Sequence, residues 1–166
     1  MRNQYRITKY DPSFRDDDGA FRREDWTSYS DVGHVFNGIT LSESEYLRVE
    51  AAYLFAIEAC LHDANIESLF LTGLENSRQT KLPKFVQDKA SLTVTQCINF
   101  ARFVLRDLAW GKLILPGRAY VHFGYDYYMY LGLPSHCRDA IAAVSQRGLF
   151  VEPFRSPYLR QRPSRS

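Results

Sequence analysis

The sequence predicts an α+β domain, with a mainly antiparallel sheet and two or three helices packed largely on one face. Three observations lead there. Tyr120 to Gly132 is rich in aromatic and β-branched residues whose side chains alternate on either side of Gly124-Tyr125-Asp126. Two later and earlier stretches carry apolar residues at helical spacing, each opened by a cap signal. Between them, Lys112 to Leu115, Pro116-Gly117 and Arg118 onward read as strand, tight turn, strand.

Taken in order, Gln4 to Tyr10 alternates and predicts an opening strand, broken at Asp11-Pro12. Ser13 to Asp25 is a polar surface loop. Trp26 to Ser30 is strand-like and is expected to pair back on the first strand. Asp31-Val32-Gly33 and Asn37-Gly38 supply turns. Ser42 to Glu45 has the pattern of a capping box, with Leu41 and Tyr46 as its staple, and opens the first helix. Glu50 falls inside the apolar arc of that helix. A carboxylate there needs a partner, since burying it bare costs several kcal/mol or more, and a tyrosine hydroxyl or an arginine at the core rim is expected. Ile66 to Leu74 is a strand, and Glu75 to Ala90 is a connecting loop. Thr93 to Gln96 caps a second helix running to Leu108, ended by Gly111. The aromatic stretch then gives two antiparallel strands and a short loop, or one long strand with a glycine bulge. One of its faces makes core and the other presents rings with polar tips. Ser135 caps a third helix that ends at Arg147, with Gly148 just beyond. Leu149 to Phe154 is a last short strand. Residues 1–158 are expected to form a single domain, and 159–166 a disordered basic tail.

The net charge of +2 conceals an asymmetry. Residues 1–63 hold 7 Lys/Arg against 12 Asp/Glu, while residues 64–166 hold 14 against 7. The acidic half is the one suited to a basic partner. Cys60, Cys97 and Cys137 have no motif spacing, and Cys60 and Cys97 fall inside apolar helical patterns, which predicts free thiols in a reducing, cytoplasmic setting. No secretory signal or membrane-length apolar run is seen in the sequence.

Candidate chemistry is sparse. Asp16-Asp17-Asp18-Gly19 resembles the start of a calcium loop, but an EF-hand needs glutamate at its twelfth position, and Thr27 stands there. The sequence lacks the nucleophile-elbow, phosphate-loop, zinc-protease and dinucleotide motifs. We therefore expect no catalytic residue, metal or cofactor. The alternative is a small enzyme acting on RNA or a nucleotide through His122 and Asp126, which would need the two groups within hydrogen-bond reach. Tyrosines also stack bases, but no Lys or Arg lies between Arg118 and Arg138, so direct nucleic-acid binding is not expected. Tyrosine clusters suit protein interfaces, where they offer area and a polar tip at low entropic cost.

Four strings, Arg6 to Pro12, Asp25 to Gly33, Tyr120 to Tyr130 and Phe150 to Phe154, together resemble a family of small bacterial proteins. Over residues 4 to about 158 the chain is similar to immunity proteins of contact-dependent growth inhibition and related polymorphic toxin systems. The resemblance implies a cytoplasmic protein that binds the C-terminal domain of a cognate toxin, commonly a nuclease, and occludes its active site. A nuclease that grips phosphate carries a basic cleft. The expected docking surface is therefore Asp16, Asp17, Asp18, Glu24, Asp25, Tyr29 and Asp31, with Asp126 and whichever of Tyr125, Tyr128 and Tyr130 point outward.

Overall fold

The computed structural model describes residues 3–160. In chain order the elements are β1 (Asn3–Thr8), β2 (Val35–Phe36), β3 (Ile39–Thr40), α1 (Glu43–Asp63), β4 (Ser68–Glu75) and β5 (Ser91–Thr93). These are followed by α2 (Val94–Leu105), β6 (Trp110–Leu115), β7 (Ala119–Phe123), β8 (Met129–Leu133), α3 (Arg138–Gln146) and β9 (Phe150–Pro153). β2 and β3 make a separate small hairpin, and the other seven strands form one antiparallel sheet in the order β5-β4-β6-β7-β8-β1-β9. The expected class, a mainly antiparallel sheet with three helices, is the one the chain adopts.

Register explains the core. Leu71 faces Leu113, Leu113 faces Val121 and Val121 faces Leu131, so alternation puts all four on one face of the sheet. Each is 0% exposed. Gly111 shows how closely α2 lies on this face: a Cβ there would meet Leu71 Cδ1 at 2.7 Å and the Phe100 ring at 3.1 Å. Helix α1 packs against α2 and α3 and buries Val49, Tyr53, Ile57, Cys60 and Leu61. Burial pushes the Cys60 and Cys97 thiols up to about 12, so both behave as small apolar groups.

The helix ends are read from short polar residues. Ser42 Oγ accepts from the Glu45 amide, but the Glu45 carboxylate turns to Arg48, so only half of the expected capping box forms. Thr93 and Gln96 complete theirs reciprocally. Helix α2 stops at Leu105, three residues before the expected end. Asp107 takes a left-handed φ of 56°, and the Leu108 and Asp107 amides close back on the Phe103 and Val104 carbonyls, a Schellman ending without glycine. Helix α3 begins at Arg138 behind Cys137, not under a Ser135 cap. Gly148 follows it at φ 86°, as expected.

Two further expectations are corrected. Trp26 to Ser30 is not a strand: Asp31 accepts from the Thr27 and Ser28 amides, and this local bonding closes a 3₁₀ turn over Tyr29–Asp31. The second face of the sheet is not open over β7 and β8 either, although Phe70 on β4 stays 40% exposed on that face. Tyr120, His122 and Tyr130 are 2%, 2% and 8% exposed, because residues 154–158 fold back across them. Leu159 and Arg160, expected in a disordered tail, close a 3₁₀ turn over Pro157–Arg160. The remainder of that tail, 161–166, lies outside the described residues.

Candidate functional site

The β7–β8 connection runs from Gly124 to Tyr128 and holds an unusual backbone. Asp126 and Tyr127 are consecutive left-handed residues at φ 56° and 65°. Aspartate tolerates that region, but a tyrosine there costs on the order of 1–2 kcal/mol. Gly124 is demanded by close approach, since a Cβ would meet Tyr128 O and the Tyr130 ring at 3.2 Å. Buried hydroxyls hold the strained peptides. Tyr10 donates to the Asp126 carbonyl at 2.7 Å and Tyr53 to the Tyr127 carbonyl at 2.6 Å. Tyr53 also accepts from the Lys9 amide at 2.7 Å.

The Tyr127 ring points inward and ends a polar chain through the core. Its hydroxyl lies 2.6 Å from the Leu105 carbonyl and 2.8 Å from the Tyr46 hydroxyl, which donates to Glu50 Oε2 at 2.9 Å. Arg106 grips Glu50 with Nε at 2.7 Å and Nη2 at 2.9 Å, and Arg102 adds an ion pair at 3.4 Å. The expected partners of Glu50, a tyrosine and an arginine, are therefore both present. Burial raises the Tyr127 hydroxyl far above the ordinary phenol range, with the Tyr46 hydrogen bond adding to it. The hydrogen bond to Glu50 raises Arg106. Both groups are thus locked in their usual protonation states and serve as fixed struts.

Outside this frame the loop presents its other two residues. Tyr125 is 86% exposed, and Asp126 is exposed beside it. They edge a cleft of about 540 Å³ whose other walls include Thr27, Ser28, Arg78, Asp107, Trp110 and Tyr158. Ser28 Oγ donates to Asp107 Oδ2 at 3.2 Å, tying the acidic N-terminal segment to the end of α2. Trp110 Nε1 donates to the Phe123 carbonyl at 3.0 Å, which fixes the indole in the wall.

The expected docking residues divide accordingly. Tyr125 and Asp126 lie at the cleft mouth, and Tyr29 packs close by over Tyr46 and Arg106. Asp17, Asp18 and Glu24 are exposed, with carboxylates that make no hydrogen bond or ion pair among the described residues. Asp16, by contrast, accepts from the Asp18 and Ala20 amides and pairs with Arg22. Asp31 caps the turn described above. Asp25 pairs at 2.9 Å with Lys9, whose ammonium sits over Trp26 and Tyr10. Burial lowers that lysine to about 8 against the pull of Asp25. Tyr128 is half-buried against Tyr10 and Tyr130 is sealed under the C-terminal segment, so of the three tyrosines Tyr125 is the one that points outward.

His122 and Asp126 do not form a pair. His122 Nδ1 meets Ser156 Oγ at 2.8 Å, the ring stacks on Tyr120 at 4.3 Å, and burial, with help from Lys112, lowers its pKa to about 4. It is a neutral imidazole inside the protein, while Asp126 projects into solvent. Sequence reading missed the cleft because its walls come from six separate stretches. It also missed the β2–β3 hairpin, although Asn37-Gly38 was a visible turn signal. Among the described residues, no group of three or more His, Cys, Asp or Glu is placed to hold a metal, and no helix is long and apolar enough to cross a membrane. Comparison with known protein families, with curated proteins and with solved structures finds no match to this chain.

Proposed function

We propose that this chain is an immunity protein, which acts in the cytoplasm by binding the C-terminal domain of a cognate bacterial toxin and covering its active site. It acts by occlusion, with no turnover of its own. The observation that carries this reading is the Gly124–Tyr128 loop. Strain of this kind persists only where the surroundings over-determine it. Here the buried hydroxyls of Tyr10 and Tyr53 support a loop whose exposed products are one aromatic ring and one carboxylate. Preorganised aromatic anchors reduce the cost of binding. The exposed carboxylates of Asp17, Asp18 and Glu24, and Asp107 in the cleft wall, favour a basic partner such as a nuclease, and speed its approach.

The test is co-expression with candidate toxin domains encoded next to this chain, read by growth rescue and co-purification. Rescue by the wild-type chain, lost in Tyr125→Ala combined with Asp126→Lys, is the expected result. Failure to rescue from any of them, or protection that survives loss of binding, would remove the proposal.

A further inference from the structure

Three acidic residues line the cleft of about 540 Å³, and each arrives there at a break in regular backbone. Glu75 follows a register shift in the β4–β6 pairing, where Gly73 takes a φ of 65°, and the shift sets Glu75 across from Trp110. Cross-strand partners stand side by side, so an acid flanks the indole. Asp107 sits at the left-handed end of α2 with Oδ2 held by Ser28 Oγ, and Asp126 takes its left-handed φ in the β7–β8 loop. One base, Arg78, shares the lining. The side chains of Glu75, Asp126 and Arg78 are exposed and make no hydrogen bond or ion pair among the described residues.

The aromatic part of the wall is fixed. Trp110, already tied to the Phe123 carbonyl, packs on Tyr158 with ring centroids 5.9 Å apart, and Tyr125 stands at the mouth. Lys112 lies 5.8 Å from both the Trp110 and Tyr158 centroids, outside the lining. Even with it counted, acids outnumber bases, so a phosphate or carboxylate ligand is disfavoured. Carboxylates beside ring faces suit a cation. Arginine uses both at once, because its flat guanidinium stacks on a ring while its edge donors fork onto carboxylates. A lysine ammonium has neither the plane nor the fork. We infer that the cleft is a receptor for one arginine side chain, presented by the basic partner. This rests on the inhibitory reading above for its source of arginine and deepens it, since the Gly124–Tyr128 loop becomes one wall of a socket.

The first probe is N-acetyl-arginine amide, titrated against the whole chain and followed by NMR through the indole N–H of Trp110, which Trp110→Phe assigns. N-acetyl-lysine amide and the uncharged isostere N-acetyl-citrulline amide are the controls. Saturable binding on the order of millimolar is expected for arginine, weaker for lysine and none for citrulline. Glu75→Gln with Asp126→Asn, isosteric changes at exposed positions, should keep the wild-type urea midpoint and weaken arginine about 5-fold or more. No saturable shift, or citrulline binding as well as arginine, overturns the receptor. The second probe is a catalytically inactive toxin C-terminal domain that the wild type neutralises. Its complex with the same double variant should dissociate about 10-fold faster or more. An unchanged dissociation rate overturns the inference and leaves the inhibitory reading standing. Wild-type self-association that the double variant abolishes makes a second copy the source of the arginine, and also overturns it. Arginine binding by a wild type that binds no toxin domain supports the receptor and removes the inhibitory reading.

Discussion

Over its central strands the main sheet is buried on both faces, and by opposite means. On one, Leu71, Leu113, Val121 and Leu131 are fully buried in the hydrophobic core, and none of the four side chains carries a polar atom. On the other, Tyr120, His122 and Tyr130 are covered by Phe154, Ser156 and Tyr158, with Arg6 and Arg15 sharing Glu152 beside them. The first face is held by area removed from water, which has no dependence on direction or pH. The second is held by a short segment whose seal rests on one imidazole–hydroxyl contact, several ring edges and an ion triad. Those four side chains are therefore insensitive to pH, whereas the cover of the second face is conditional.

Four measurements test this contrast. The largest effect is expected for Leu113→Ala, which should cost about 3–4 kcal/mol in urea unfolding, because Val121 and the rest of the close-packed core cannot fill the cavity. That loss should be the same at pH 7 and pH 5.

Next is acid sensitivity from His122. Its folded pKa, about 4, lies below the ordinary 6.5, so the unfolded chain binds a proton that the folded chain refuses. Stability from this group is complete above 6.5, falls as pH drops toward 4, and changes no further below that. The full loss is roughly 3 kcal/mol. In His122→Gln this component of the pH dependence should vanish. An unchanged slope between pH 6.5 and 4 would mean that the second face is not conditional in this way.

Ser156→Ala removes the hydroxyl from the imidazole and should cost about 1–2 kcal/mol. It should also raise amide exchange over residues 154–158 and leave α1 and β6 protected. The smallest effect belongs to the surface acids. Asp17→Lys with Asp18→Lys should shift stability by no more than about 0.5 kcal/mol, while slowing association with a basic toxin domain. A destabilisation of several kcal/mol would give that loop a structural task.

The contrast also explains what was legible in the sequence. The helix-covered face could be read because its signal is periodic and local: alternation in β7 and β8, helical spacing in α1 and α2. Glu50 could be read as a paired carboxylate because its place in an apolar arc left no cheaper solution. Burial of Tyr120, His122 and Tyr130 could not be read, since it depends on a segment some thirty residues later that no period connects to them. The acidic segment misled for a related reason. Its carboxylates look alike as letters, yet Asp16, Asp25 and Asp31 are consumed by local amides or by Lys9 while Asp17, Asp18 and Glu24 are not. The early end of α2 was hidden because a Schellman turn made by Asp107 lacks the usual glycine.

The sheet ends at β5, three residues long, and at β9, four residues long and closed by Pro153. An outer strand of that length offers a neighbour few unpaired amides, and proline removes one donor outright. Strand-by-strand stacking of one molecule onto another, the first step of a cross-β deposit, has almost no template to copy here. A chain with 11 Tyr and 11 Phe can then be made in quantity without its aromatic strands recruiting one another, because those strands occupy the middle of the sheet.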